Sequence, residues 1–197
     1  MKDSGSYQSY SYFQLMEVSL RELLVEKGVL SEAQVEAAVE DMRARSPEQG
    51  ARVVARAWMD SDFKKKLLEN GSRACEELGI EVGALKLVVV ENTAAEHNVV
   101  VCTLCSCYPR MLLGIPPDWY KSRNYRSRTV REPRAVLAEF GLKIDKEKTI
   151  RVHDSTADMR YLVLPMRPPG TEGWDENKLA SIVTRDCMIG VAVPASS

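Results

Sequence analysis

Three cysteines fall within six residues in Val101-Cys102-Thr103-Leu104-Cys105-Ser106-Cys107-Tyr108-Pro109. In a reducing compartment such a cluster reads as metal-binding or redox-active rather than as a disulfide framework. Cys75 and Cys187 stand alone and read as small buried apolar side chains. Structural zinc would need a second ligand pair at a sensible distance. No CxxC or HxxxH follows, and the two histidines, His97 and His153, are isolated. His97, beside the strand that leads into the cluster, reads as a hydrogen-bonded structural histidine rather than a ligand.

Cys105 and Cys107 are separated by one residue, so two sulfurs on one ion press the intervening backbone against it. The amide nitrogens of Ser106 and Cys107 are then the nearest further donors. If both deprotonate, the result is a square pyramid with two nitrogens and two sulfurs in plane and the third sulfur axial. Deprotonating an amide requires a strongly Lewis-acidic, trivalent ion. Three thiolates and two amidates carry −5 against +3, leaving about −2, which needs nearby cations or donors because unpaired buried charge is expensive. The sixth position is left for water or substrate. Three buried or reactive thiols without a metal, or a non-catalytic zinc or redox-sensing module of another class, remain the alternatives.

The segment VCTLCSCY, with His97-Asn98 upstream and PPDWYKSRNYRSRTVREPRAVL downstream, resembles the α subunit of nitrile hydratases. VHDSTADMRYLVLPMRP at 152–168 and GTEGWDENKLASIVTRDCMIGV at 170–191 extend the likeness to roughly residues 30–193. The resemblance implies a hydro-lyase subunit that turns a nitrile into its amide at non-corrin Co(III), with Fe(III) as the alternative. Thr103 between the first two cysteines is similar to the cobalt type. The resemblance makes Cys102 the axial thiolate, Cys105 a sulfinate and Cys107 a sulfenate, with the Ser106 and Cys107 amides in plane. The Cys107 oxygen is then the nucleophile, or the base for an attacking water. It also implies a β subunit, as one chain or two split chains, that completes the pocket and supplies arginines to the oxidised sulfurs. A metallochaperone or activator during maturation follows as well. Thiocyanate hydrolase uses a related claw subunit, and Arg110 excludes neither that reading nor a specialised three-subunit hydratase such as one acting on the nucleoside toyocamycin.

Two departures from the family pattern bear on the site. Asp154 and Asp158 occupy the positions of an acidic pair that supports the metal centre, but the second is more often Glu, so Asp158 is one methylene shorter. Arg110 stands where the family commonly places a Trp that lines the substrate pocket. It replaces an apolar wall with five N–H donors, so the expected substrate is polar, anionic or hydrogen-bonding.

The elements that must position these residues follow from periodicity. Residues 1–12 hold no core-forming pattern, and Tyr7, Tyr10 and Tyr12 suit a partner-contacting arm. Residues 13–80 read as helices: Leu15, Val18, Leu20, Leu23 and Leu24 share a face, and Gly28 stops it. Ser31 with Gln34 is a capping box, Ser46-Pro47 is a break, and Ser72 is the expected cap of a fifth helix ending at Gly79. Residues 81–197 form the metal-claw α/β domain, with strands at Leu85–Val90, Asn98–Cys102, Thr149–Val152 and Tyr161–Leu164. Pro133 opens a helix that closes at Gly141. Residues 165–174 read as a loop, Asp175 starts a last helix, and MIGVAV at 188–193 reads as a strand. The fold class is α+β, a helical N-terminal region followed by an α/β region of few short strands. The aromatic-basic stretch PPDWYKSRNYRSR and the N-terminal arm are the candidate partner contacts. Trp58, Trp119 and Trp174 are packing or interface residues.

The chain has 197 residues, with 27 Lys+Arg against 28 Asp+Glu and 45% hydrophobic residues. That balance argues against nucleic acid as the main partner, since phosphate binding needs a surplus of cations. No apolar run approaches the roughly 20 residues that span a bilayer, and MKDSGSYQSYSYF lacks a secretory core. The expected location is the cytoplasm, with no membrane partner.

Overall fold

Among the described residues, apolar residues at three- and four-residue steps resolve into five helices before the first strand. The computed structural model describes residues 11–195. The chain divides into two units, Met1–Met42 and Arg43–Ser197.

In the first unit, helix α1 (Tyr12–Glu26) opens on a capping box that the sequence reading did not include. Ser11 N donates to Gln14 Oε1 at 2.7 Å, and Gln14 N donates to Ser11 Oγ at 3.4 Å. Tyr12 is therefore part of the helix, while Tyr7 and Tyr10 lie outside the described residues. Gly28, at φ +67°, follows its end. The predicted box at Ser31 and Gln34 opens α2 (Glu32–Ala44), with Ser31 N donating to Gln34 Oε1 at 2.8 Å. Neither helix buries a residue, and Leu15, Met16, Leu20 and Leu23 stay exposed.

In the second unit, α3 (Glu48–Met59) buries Val53, Val54 and Ala57. Helix α4 (Ser61–Glu69) is capped by Asp60 and buries Phe63 and Leu67. Helix α5 (Gly71–Glu77) is capped by Asn70, not by Ser72: the extended backbone of Asn70 lets its side chain reach Arg73 N at 3.1 Å. Ser72 instead donates to Leu85 O at 3.0 Å and accepts from Leu87 N at 2.9 Å, pinning α5 to the first strand.

Strands β1 (Lys86–Glu91), β2 (Glu96–Val101), β3 (Thr149–Asp154) and β4 (Met159–Leu164) make two parallel pairs, β1 with β4 and β2 with β3. Parallel partners cannot be joined by a tight turn and need a crossover. The β2–β3 crossover, residues 102–148, holds the cysteine cluster and α6 (Arg110–Leu113), α7 (Asp118–Lys121), α8 (Arg123–Arg131) and α9 (Pro133–Glu139). The β2–β3 register sets Asp154 opposite Val101, the residue before Cys102.

A buried polar network fixes these strands to each other. Asn98 N donates to Asn92 Oδ1 at 2.7 Å, and Asn98 Nδ2 donates to Glu91 O at 2.8 Å. The Gly190 carbonyl can only accept, so the His97 ring donates through Nε2 at 2.8 Å and takes the Asn92 amide on Nδ1. Asn98 Oδ1 likewise accepts from His153 Nε2 at 2.7 Å. Burial pushes both histidines below their ordinary value.

The C-terminal reading needs correction. Asp175 caps α10 (Glu176–Ser181), but a further helix follows it, α11 (Arg185–Ile189), capped by Thr184. The MIGVAV segment closes that helix and is no strand. Met188, Ile189 and Val191 are apolar because they are buried in the core, and a short apolar run does not by itself separate strand from buried helix. Gly190 ends α11 at φ +91°, and a Cβ there would collide with Asn98 O.

Candidate metal centre

The cysteines sit on the bend that leaves β2. Cys102 is fully buried, Cys107 half-buried and Cys105 exposed. The Sγ atoms of Cys102 and Cys105 are 3.5 Å apart and those of Cys105 and Cys107 3.2 Å apart. All three lie within 4.8 Å of one another, and among the described residues this is the one cluster of metal-ligating side chains. The main-chain N–H groups of Ser106 and Cys107 help to lower the Cys105 thiol. The donor set therefore suits a thiophilic ion that also recruits backbone nitrogen, with no carboxylate or imidazole in the cluster.

Hydrogen bonds from Cys107 and then Cys102 lower the Cys105 thiol to about 7, whereas burial pushes Cys107 up to about 12. The two sulfurs lie within hydrogen-bond distance, and the lower value makes Cys105 the first to become a thiolate.

The bend is held from three sides. Asp154 accepts from Thr103 N at 2.8 Å and from Thr103 Oγ1 at 2.5 Å. Arg126 on α8 donates to Thr103 O at 3.2 Å. Tyr120 on α7 donates its hydroxyl to Cys107 O at 2.8 Å, and burial pushes its ionisation up so that it stays a donor. One step back on β2, Tyr125 donates to Val100 O at 2.7 Å. These two tyrosines, tilted against each other, join Trp119 and Phe140 in an aromatic cluster whose other pairs are edge-to-face.

This changes the reading of PPDWYKSRNYRSR as a partner contact. Its tyrosines are buried and Trp119 packs on Phe140. Asp118, Lys121, Arg123, Asn124 and Ser127 face outward, because Tyr125 and Thr129, one helical turn apart, turn their side of α8 to the core. Of the other tryptophans, Trp58 donates to Pro165 O at 2.8 Å and Trp174 lies under Lys178, whose ammonium is 4.1 Å from the ring centre.

A cavity of about 420 Å³ opens over Cys105, Ser106 and Cys107. Arg110 lines it, together with Arg45, Arg160, Tyr108 and the apolar Val82, Leu85 and Met111, and no carboxylate does. Arg160 donates to Ala157 O at 2.9 Å and to Thr156 O, and its charge favours the Cys107 thiolate. Asp154 is thus brought to the bend. Asp158 is exposed, with its carbonyl on Lys86 N and no partner for its carboxylate among the described residues. His97 is turned away to Gly190. Sequence reasoning missed Tyr120, Arg126, Arg45 and Arg160 as neighbours of the cluster. Helical spacing of Tyr125 with Thr129 was the available sign that α8 has a buried face; nothing local marks Arg45 or Arg160.

Comparison with known proteins follows the same lines. The chain matches the family described as "Nitrile hydratase, alpha chain" over residues 11–192. It is 49% identical over 183 residues to the low-molecular weight cobalt-containing nitrile hydratase subunit alpha of Rhodococcus rhodochrous, covering 90% of this chain and 87% of that protein. It is 45% identical over 205 residues to the thiocyanate hydrolase subunit gamma of Thiobacillus thioparus, covering 98% and 84%. An Fe-type nitrile hydratase double mutant from Comamonas testosteroni Ni1 superposes with a TM-score of 0.89 at 43% identity, covering 95% of this chain and 93% of that chain.

Proposed function

The chain belongs to the nitrile hydratase α-chain family, and we propose that it is the metal-binding subunit of a cobalt(III) enzyme that hydrates a nitrile to its amide. The carrying observation is the convergence of three cysteine sulfurs on one bend whose Cys105, Ser106 and Cys107 line a cavity. Cobalt is favoured over iron by Thr103 and by the cobalt-containing relatives. Cys102, Cys105, Ser106 and Cys107 would hold the ion, with Cys105 as sulfinate and Cys107 as sulfenate. A trivalent ion held there supplies Lewis acidity toward the nitrile or the attacking water. The chain's own residues do the rest. Asp154, Arg126 and Tyr120 hold the bend, so the donors are in place before the ion arrives. The Cys107 oxygen attacks the nitrile carbon or takes the proton of the attacking water. Asp158 is left to reach groups of a β partner, as one chain or two, which completes the cavity wall. Maturation uses a metallochaperone. Among the described residues no helix is long and apolar enough to cross a membrane, and the cytoplasm is the proposed location.

Arg110, with Arg45 and Arg160 on the same cavity, supports a polar or charged nitrile over a small aliphatic one. That lining, with the 45% identity to a thiocyanate hydrolase subunit, also favours a second reading in which the substrate is thiocyanate. Co-expression with the β partner in cobalt medium, followed by metal and product analysis, tests both. An amide from a nitrile supports the first, and carbonyl sulfide with ammonia supports the second. Zinc with three reduced thiols and no turnover would indicate a thiol module instead. Within the first reading, Arg110→Trp is expected to shift preference from a polar heteroaromatic nitrile toward acrylonitrile, and an unchanged preference removes Arg110 from the pocket.

A further inference from the structure

Between residues 121 and 134 the sequence carries six cations, Lys121, Arg123, Arg126, Arg128, Arg131 and Arg134, against one acid, Glu132. The structure sorts them. Lys121 pairs with Asp118 at 2.8 Å. Arg128 is clamped by Glu132 at 2.5 Å and Glu139 at 2.6 Å. Arg134 is spent on the carbonyls of Ile144, Asp145 and Lys148. Arg123 and Arg131 have no side-chain partner among the described residues, and Arg126 gives a single bond to Thr103 O. These three remaining arginines, with Ser127 and Val130, fall at helical steps of three and four and so share one face of α8. That face and Thr103 line a concave surface of about 570 Å³ without a carboxylate. Val130 is 46% exposed, and Leu104, the next residue of the metal-binding bend, is 89% exposed.

We infer that this groove receives an acidic segment of the β partner, with carboxylates on Arg123 and Arg131 and an apolar side chain against Val130. The occupant is argued from charge: three aligned guanidiniums with no acid among them fit carboxylates in the fork geometry that Arg favours. It is argued also from continuity, because Thr103 is both a wall of the groove and part of the bend that the partner must cover. The three arginines repel one another on the free chain, and an acidic segment relieves that repulsion. Arg126 then carries the effect of docking to the main chain of the bend through Thr103 O, so assembly and order at the metal site are linked. The inference rests on the β partner of the proposed function but not on the reaction.

The test is the salt-dependent dissociation constant of the full chain for its co-purified β partner. The variants are R123E/R131E, the milder R123Q/R131Q, and R128Q, which breaks only the clamp within the chain. The double reversal should raise Kd by at least about tenfold at low salt and flatten the dependence on ionic strength, the direction expected for interfacial charge pairs. The glutamine pair should fall between it and the wild type, and R128Q should leave association unchanged. Circular dichroism of each free variant separates misfolding from lost docking. An unchanged Kd and salt slope in R123Q/R131Q, with the fold intact, overturns the inference whether or not the complex hydrates any nitrile.

Discussion

Helices α1 and α3 carry the same kind of pattern, apolar residues at helical steps with a defined start, yet they end differently. Helix α3 buries six residues in the core of the second unit. Helix α1 buries none, and its Leu15, Leu20 and Leu23 remain in solvent. Amphipathic spacing fixes the helix and its apolar face, not what that face meets. In the second unit the face of α3 meets the helices α4, α6, α10 and α11 of the same chain; in the first unit no such burial occurs. The cysteine bend stands at the opposite extreme: it has almost no regular structure, and tyrosine, aspartate and arginine side chains from α7, β3 and α8 hold it.

The largest expected effect lies at the bend. Cys102→Ser and Cys107→Ser should each leave a folded chain whose complex holds no stoichiometric cobalt and has no turnover, read by elemental analysis and amide production. Full metal occupancy in either variant breaks the contrast between a bend built for donors and ordinary surface. Next comes the core against the first unit. Leu67→Ala should cost about 2–5 kcal/mol in urea unfolding of the isolated chain. Leu20→Ala on α1 should stay within about 0.5 kcal/mol, and equal costs would mean that α1 is buried after all.

A smaller effect attaches to the bracing. Asp154→Asn and Tyr120→Phe should each weaken cobalt retention by roughly 10–100-fold, as loss of outer hydrogen bonds does at other metal sites. Far-ultraviolet circular dichroism should stay that of the wild type. Retention equal to wild type in both would make the bend self-sufficient.

The smallest effect is the pH dependence of the strand network. His97 and His153 are held neutral by burial, with folded values below the ordinary one. The unfolded chain takes up protons near pH 6.5, so below that value it binds more protons than the folded chain. The histidines' contribution is complete above about pH 6.5 and fades as pH falls toward their folded values. Urea midpoints at about pH 7.5 and 5.5 should show this loss, and His153→Gln should flatten it. A slope that steepens in the variant contradicts the assignment.

Much of this was legible in the residues. The bend, four strands within one or two residues at most ends, the Ser31 box and the Pro133 helix follow from local spacing and turn chemistry. What was not legible depends on tertiary partners. MIGVAV reads as a strand because its apolar residues are buried, but Thr184 and Gly190 make it the end of a helix. Ser72 is a good cap by type, and it is diverted to Leu85 and Leu87 because Asn70 already caps the helix. Tyr120 and Tyr125 sit among exposed basic residues, so their inward role appears only when the crossover folds over β2. Asp154 owes its place at the bend to the parallel register of β3 with β2, which no local pattern encodes.

The central claim is a single ion gripped by the three cysteine sulfurs and the nitrogens of Ser106 and Cys107. X-ray absorption at the cobalt edge of the purified, active complex tests it most directly. The account predicts three sulfur and two short nitrogen scatterers around low-spin cobalt(III), with one further light atom. A metal surrounded by sulfur alone, or by oxygen and imidazole with no main-chain nitrogen, would contradict it.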